Sequence, residues 1–351
     1  MPVNKSVIKT LWPTLVFALV CGAAHASHQV FKDWEVACDN TRRCEAAGYE
    51  AEDAPAPVVV SLLREAGAAA PVKLRLMPYA NDEVVPGPLT VQVGTAILRG
   101  LPAGTELPPE QVARLLPLLR DADAARIADG KREWILSLAG IKAALLRIDD
   151  VQGRLGTPTA LVRPGTRPVD TVRAPVPVVP GVPVVPVVRL LPVAAPRQDD
   201  RRLLPLILAT LKNDGCEDPI DFDGGERDNE IHRLSASQVL LILQCTRGIY
   251  QSGFAVWIAN DKPPYAPQPA RLRDALGREQ SLVLEAAFYN NELTSIGKRR
   301  GLGDCNVKAR WGWTAAGFQL VEAYSSELCR AIPDGYLLRD YTATMVRPAS
   351  R

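Results

Sequence analysis

Phe31-Lys32-Asp33-Trp34-Glu35-Val36-Ala37-Cys38-Asp39-Asn40-Thr41-Arg42-Arg43-Cys44-Glu45-Ala46 is the stretch that decides how this chain is read. From Trp34 to Cys38 apolar and polar side chains alternate, the period of a strand with one buried face. Asp39 to Arg43 is a polar turn, and a second strand-like run leaves from Cys44. Cysteines that bracket the turn of a hairpin are placed to staple it, because paired strands bring such positions within disulfide reach. The stretch therefore predicts an antiparallel hairpin closed by Cys38–Cys44.

Outward from it, Val72-Lys73-Leu74-Arg75-Leu76 and Leu89-Thr90-Val91-Gln92-Val93 repeat the two-residue period and extend the reading to a half-solvated antiparallel sheet. Pro108 and Pro109 suit the first turn of a helix that carries Val112, Leu115 and Leu116, with Pro117 ending or kinking it. Trp134 to Leu138 reads as a strand. It feeds a helix with Ile141, Leu145, Ile148 and Val151 on one face and Gly153 as its C-terminal cap.

Composition then shifts. Between 164 and 196, Pro164, Pro168, Pro175, Pro177, Pro180, Pro183, Pro186, Pro192 and Pro196 alternate with valines and leucines, which removes backbone donors and forbids a helix or a central strand. This segment marks a domain boundary and reads as a polyproline-II spacer. Val178, Val179, Val182, Val184, Val185, Val187, Val188, Leu190 and Leu191 make it too apolar for a solvated linker, so it is expected to lie extended against a domain. The predicted organisation is a segment 1–26, a domain 27–163, a linker 164–199 and a domain 200–351.

The second domain opens with an expected helix from Leu204 to Asn213, with Pro205 near its start and Gly215 past its end. Apolar runs at Val239–Leu243 and Gly253–Ile258 come first, and later runs at Leu282–Phe288, Val307–Trp313 and Phe318–Tyr324 suggest a β-meander, with Ala309, Trp311 and Trp313 on one face. Both domains thus read as α+β, each a mainly antiparallel sheet with one or two helices.

The first 26 residues carry Lys5 and Lys9, an apolar stretch from Leu11 to Ala24, and Ala24-His25-Ala26 before Ser27. That is a secretory signal with a cut expected after Ala26, and a periplasmic mature chain. The apolar stretch falls short of the ~20 residues a membrane-spanning helix needs. An uncleaved anchor and a lipid attachment at Cys21 are the alternatives; bulky Val20 stands where the latter wants a small residue. Cleavage leaves six of the seven cysteines, an even number that reads as three disulfides in an exported chain. A hairpin centred on Ala315-Ala316 brings Cys305 close to Cys329, which leaves Cys216 for Cys245. Zinc ligation is disfavoured, since no Cys-x-x-Cys and no His-x-x-x-His occurs.

Of 351 residues, 47% are hydrophobic and 23% charged, enough for a large core. Lys and Arg number 41 against 39 Asp and Glu, and Lys5 and Lys9 account for the difference. A neutral exported chain excludes nucleic-acid binding driven by counterion release.

Residues 214–230 hold eight acids, among them Asp221, Asp223, Glu226 and Asp228 as candidate calcium ligands beside Gly224-Gly225, although the spacing departs from the helix-loop-helix pattern. Carboxylates of this loop, or Asp149-Asp150, are the material for an alternative periplasmic hydrolase. His28 and His232 are the histidines beyond the signal, and no Gly-x-Ser-x-Gly accompanies them, so His232 reads as a polar residue at a strand start. Ser295-Ile296-Gly297-Lys298 has the Ser-x-x-Lys form, but so has Ser6-Val7-Ile8-Lys9 inside the signal. Lys298-Arg299-Arg300-Gly301-Leu302-Gly303 is a basic loop without the ending of a phosphate loop. No cofactor motif is present.

The opening hairpin, together with Ser137-Leu138-Ala139-Gly140-Ile141-Lys142-Ala143-Ala144-Leu145-Leu146, Gln152-Gly153-Arg154, Cys245-Thr246-Arg247-Gly248-Ile249-Tyr250, Gly303-Asp304-Cys305, Trp311-Gly312-Trp313 and Cys329-Arg330, resembles the domain-of-unknown-function 1176 family over nearly the whole mature chain. The first-domain landmarks also resemble invasion-associated locus B proteins of the cell envelope, through Asp33-Trp34-x-Val36-x-Cys38. These resemblances imply an envelope location and paired cysteines, and imply no activity. With Trp257, Trp311, Trp313, Tyr324 and Tyr341 as surface-capable aromatics and no convergent catalytic set, the expectation is a non-enzymatic binding protein. Its partner would be another envelope protein or a cell-surface polymer.

Overall fold

A computed structural model describes residues 27–52, 54, 56–175, 185–216 and 226–348. The predicted signal 1–26 with its cut after Ala26, Cys21, the valines 178, 179, 182 and 184, and the acids Glu217, Asp218, Asp221 and Asp223 lie outside the described residues.

The opening hairpin is the heart of a six-stranded antiparallel sheet in chain order, β1 (Ser27–Phe31), β2 (Trp34–Cys38), β3 (Cys44–Tyr49), β4 (Val58–Arg64), β5 (Val72–Ala80) and β6 (Glu83–Val84). Cys38 sits directly opposite Cys44 in the register. This sheet is not half-solvated as its period suggested: β2 and β3 are buried on both faces, Glu35 and Glu45 included. One face meets the main core of Trp34, Leu62, Leu74, Leu115 and Leu145. The other meets Ile332 and Leu338 from the far end of the chain, which pack with Ala37, Ala47, Tyr49, Val59 and Met77. Coverage of the second face by distant residues is what turned an alternating pattern into a sandwiched sheet.

A second sheet, ordered β10-β9-β7-β8, is built from β7 (Leu89–Val93), β8 (Ala96–Leu101), β9 (Ala124–Ala128) and β10 (Glu133–Ser137), with α1 (Pro109–Asp121) between β8 and β9 and α2 (Ile141–Val151) after β10. Helix α1 runs through Pro117 to Asp121 instead of stopping there. Trp34 donates its indole N–H to Ser137 O at 3.0 Å and Trp134 donates to Tyr79 O at 2.9 Å, so each buried indole is satisfied by the other sheet. Gly140, the residue before α2, has φ +104°, and a Cβ there would fall 1.7 Å from Phe31 O; only glycine fits that turn.

Past the proline-rich stretch come β11 (Val187–Arg189), α3 (Asp200–Leu208), β12 (Glu230–Arg233), β13 (Gln238–Arg247), β14 (Ser252–Asn260), β15 (Gln268–Pro269), β16 (Leu272–Arg273), β17 (Glu279–Gln280), β18 (Val283–Leu284), β19 (Ala287–Tyr289), β20 (Glu292–Lys298), β21 (Asn306–Thr314), β22 (Gly317–Ser325), β23 (Leu338–Thr342) and β24 (Thr344–Val346). Strands β12-β13-β14-β15 form one sheet, with β18 also on β14, and β19 to β23 form an antiparallel meander in chain order. The two sheets enclose a core of Leu240, Ile242, Leu293, Trp311 and Trp313. Trp311 and Trp313 are therefore core residues, not surface aromatics, while Trp257, Tyr324 and Tyr341 are half-buried.

Three local expectations shift. Helix α3 starts four residues before Leu204, where Asp200 accepts the Arg197 N–H at 2.8 Å and pairs with Arg233, and it ends at Leu208 rather than Asn213. The run Leu282–Phe288 breaks at Glu285, whose φ of +42° sends β18 to β14 and β19 to β20. Residues 187–191 lie between Pro186 and Pro192 and keep their backbone donors, so β11 pairs in parallel with β24, and Val188 and Leu190 are buried. Cysteine pairs Cys38–Cys44, Cys216–Cys245 and Cys305–Cys329 lie at disulfide distance, with Cα atoms 4.1, 5.0 and 4.8 Å apart. The architecture is α+β and dominated by antiparallel sheet. Among the described residues no helix is long and apolar enough to cross a membrane.

Candidate functional site

Strand β1 delivers His28 to a junction with the end of the chain. Its Nδ1 lies 2.9 Å from Ser325 Oγ and 3.1 Å from Asp340 Oδ1, and its Nε2 lies 2.9 Å from Glu35 Oε2. Glu35, fully buried on β2, also accepts the Tyr49 hydroxyl and the Glu327 backbone N–H, the latter at 2.7 Å. The Ser325 hydroxyl donates to Asp340 Oδ2 at 2.6 Å.

Serine, histidine and two carboxylates within bonding distance have the composition of a hydrolytic triad, but the electrostatics oppose that use. Burial pushes the His28 imidazole down, yet its bonds to Asp340 and Glu35 outweigh burial and lift its pKa to about 9. A histidinium with a carboxylate at each nitrogen has no lone pair to take a serine proton. The cluster is a lock between β1 and β23. Around it Arg339 pairs with Asp39 and Arg330 with Asp33, each at 2.7 Å, and the Tyr336 hydroxyl donates to Glu45 at 2.7 Å.

An open cleft of about 1040 Å³ lies elsewhere. Strands β14 and β15 form one wall, the β16–β17 hairpin a second, and the β21–β22 turn a third. Gln238, Gln268 and Gln319 bring side-chain amides that have no hydrogen-bond partner among the described residues. Tyr341, Phe318 and Trp313 supply aromatic lining; Trp313 is 5% exposed and its indole N–H has no partner among the described residues. Among the described lining residues Asp274 is the one carboxylate, and it is held by Arg278 at 2.7 Å and by the Leu276 and Arg278 amides. Amides donate and accept at once, and aromatic faces take C–H surfaces.

Among the described residues, the candidates read from the sequence each have a separate set of partners. Of the calcium set, Asp221 and Asp223 lie outside the described residues; Glu226 is engaged through its carbonyl, which accepts from Arg247, and Asp228 through its N–H, which donates to Gln244. For Asp214, burial opposes ionisation, but Arg227 at 2.6 Å and the Cys216 amide prevail and hold the carboxyl below its usual range. Asp149 is buried and accepts the Leu161 and Val162 amides, whereas its neighbour Asp150 faces solvent and pairs with Arg147. His232 bonds Glu230 at 2.6 Å and tilts against Phe288. Ser295 clamps β18, donating to Leu284 O at 2.7 Å and accepting its N–H at 3.1 Å. Asp304, Cys305 and Cys329 gather within metal-binding reach, but both sulfurs belong to the Cys305–Cys329 pair and offer no thiolate.

His28 and the cleft glutamines were not singled out by sequence reading. One signal for His28 existed: the β1–β2 register sets His28 opposite Ala37, which puts it diagonally from Glu35 on the same face. Nothing local announces Ser325 or Asp340, about 300 residues on.

A family model described as "Protein of unknown function (DUF1176)" matches residues 28–347. "Uncharacterized protein YpfG" of Escherichia coli (strain K12) is 27% identical over 326 residues, which cover 87% of this chain and 90% of the relative. No solved structure matches.

Proposed function

The chain belongs to the DUF1176 family, proteins of unknown function, and from that premise we propose that it is an exported, periplasmic binding protein that takes a hydroxyl-rich surface polymer in the 1040 Å³ cleft. The observation that carries the reading is the lining: among the described residues, three glutamine amides without a partner beside aromatic surface, and one carboxylate, Asp274, paired with Arg278. Amide and aromatic side chains in one open trough suit a neutral chain of hydroxyls and C–H faces better than a charged ligand. Three disulfides support an oxidising compartment. Hydrolysis is the less favoured use, because Asp214 is held ionised by a guanidinium and His28 by two carboxylates, the reverse of a poised acid or base.

Cosedimentation of the purified, oxidised protein with insoluble cell-wall glycan tests the proposal. Retention is expected, and Gln268→Ala with Gln319→Ala should weaken it about thirtyfold, each lost neutral hydrogen bond contributing ~1 kcal/mol. Unchanged retention in the folded double variant, or no retention of the parent protein, overturns it.

A further inference from the structure

We propose that the turns 248–251 and 299–304 together form a docking tip for an anionic phospholipid surface. The β13–β14 turn is closed by Gly248 N–H to Gln251 O at 2.8 Å, and its two middle residues are Ile249 and Tyr250, 92% and 63% exposed. Such turns ordinarily carry Asn, Asp or Gly. Leu302, in the loop after β20, is 70% exposed.

The two turns are joined. Gln251 donates its amide to Lys298 O at 3.1 Å and accepts the Lys298 N–H at 2.8 Å. The Tyr250 ring lies on Gly301, where a Cβ would fall 2.6 Å from Cε2. Cys245 and Cys305, each a disulfide partner, sit two residues before Arg247 and one after Asp304 and tie the tip to the sheets.

Charge selects the occupant. Arg247, Lys298, Arg299 and Arg300 flank the apolar residues along the two turns, with Glu52, Glu285, Asp304 and Glu327 as the opposing acids. Asp304 is buried beneath Arg300, whose side chain is 48% exposed, so the guanidinium is the part of that pair that faces outward. Isolated apolar side chains flanked by cations suit insertion at a headgroup boundary; a protein partner would ask for a flatter or concave patch. The proposal is independent of the cleft and of the polymer it takes.

Vesicle cosedimentation of the oxidised protein, at low and high salt, is the test. Vesicles with about 30% phosphatidylglycerol should bind at least about tenfold more tightly than pure phosphatidylcholine, and salt should weaken binding. Ile249→Asp with Leu302→Asp should lose about tenfold or more while thermal unfolding and glycan retention stay unchanged. Absence of vesicle binding at low salt, retained binding in the folded double variant, or capture of a protein through the tip without vesicle binding would each overturn the proposal.

Discussion

His28 shows how much one buried charge can carry. Its pKa rises from an ordinary 6.5 to about 9 because Asp340 and Glu35 outweigh the cost of burial. A group whose folded pKa lies above its unfolded value contributes stability fully below pH 6.5 and loses it as pH climbs through about 9. Urea-unfolding curves between pH 6 and 10 should therefore show the parent protein losing up to ~3 kcal/mol. His28→Gln should be less stable at pH 6 and nearly flat across that window; an equally steep loss in the variant would show that another group titrates. At this scale the sequence was half legible. Hairpin register alone could pair His28 with Glu35, but Ser325 and Asp340 arrive through tertiary packing that no local pattern encodes.

Among the elements, the strands with a clear period were read where they form, and the β21–β22 hairpin turns at Thr314–Gly317 as its centre required. A bulge between Arg310 and Trp311 shifts the register beyond it and was invisible, since one extra residue leaves composition unchanged. Helix α3 was misplaced because its start is set by the buried pairing of Asp200 with Arg233, not by Pro205. The cysteine pairs close intervals of 6, 29 and 24 residues. Chain entropy assigns about 3–4 kcal/mol to each longer loop and about 2 to the short one. Replacing both cysteines of Cys216–Cys245 or of Cys305–Cys329 by serine should therefore lower the unfolding free energy more than replacing Cys38 and Cys44. The opposite ranking in denaturant titrations would mean that loop length does not govern these staples.

For the whole molecule we propose domains 27–163 and 200–351, joined through 164–199 and dependent on each other. Residues 325–342 support this dependence, since Ile332, Leu338 and the His28 lock close the open face of the first sheet. A fragment ending at 175 would expose Tyr49, Val59 and Met77 and leave Glu35 without His28's partner Asp340 beside it. It should bind a hydrophobic dye and show poorly dispersed amide resonances, whereas a well-dispersed fragment of parent-like stability would show the two units to be autonomous. The proline-rich composition is what motivates the proposed boundary, whereas the apposition of residues 27–49 with 325–342 rests on contacts about 300 residues apart that no local pattern encodes.

The proposed function turns on the cleft. Amide chemical-shift mapping during titration with soluble fragments of cell-wall glycan tests it most directly. The account predicts shifts concentrated at Gln238, Gln268, Gln319 and Tyr341 and a quiet His28 junction. Shifts gathered around His28, Ser325 and Asp340, or none at saturating glycan, would contradict it.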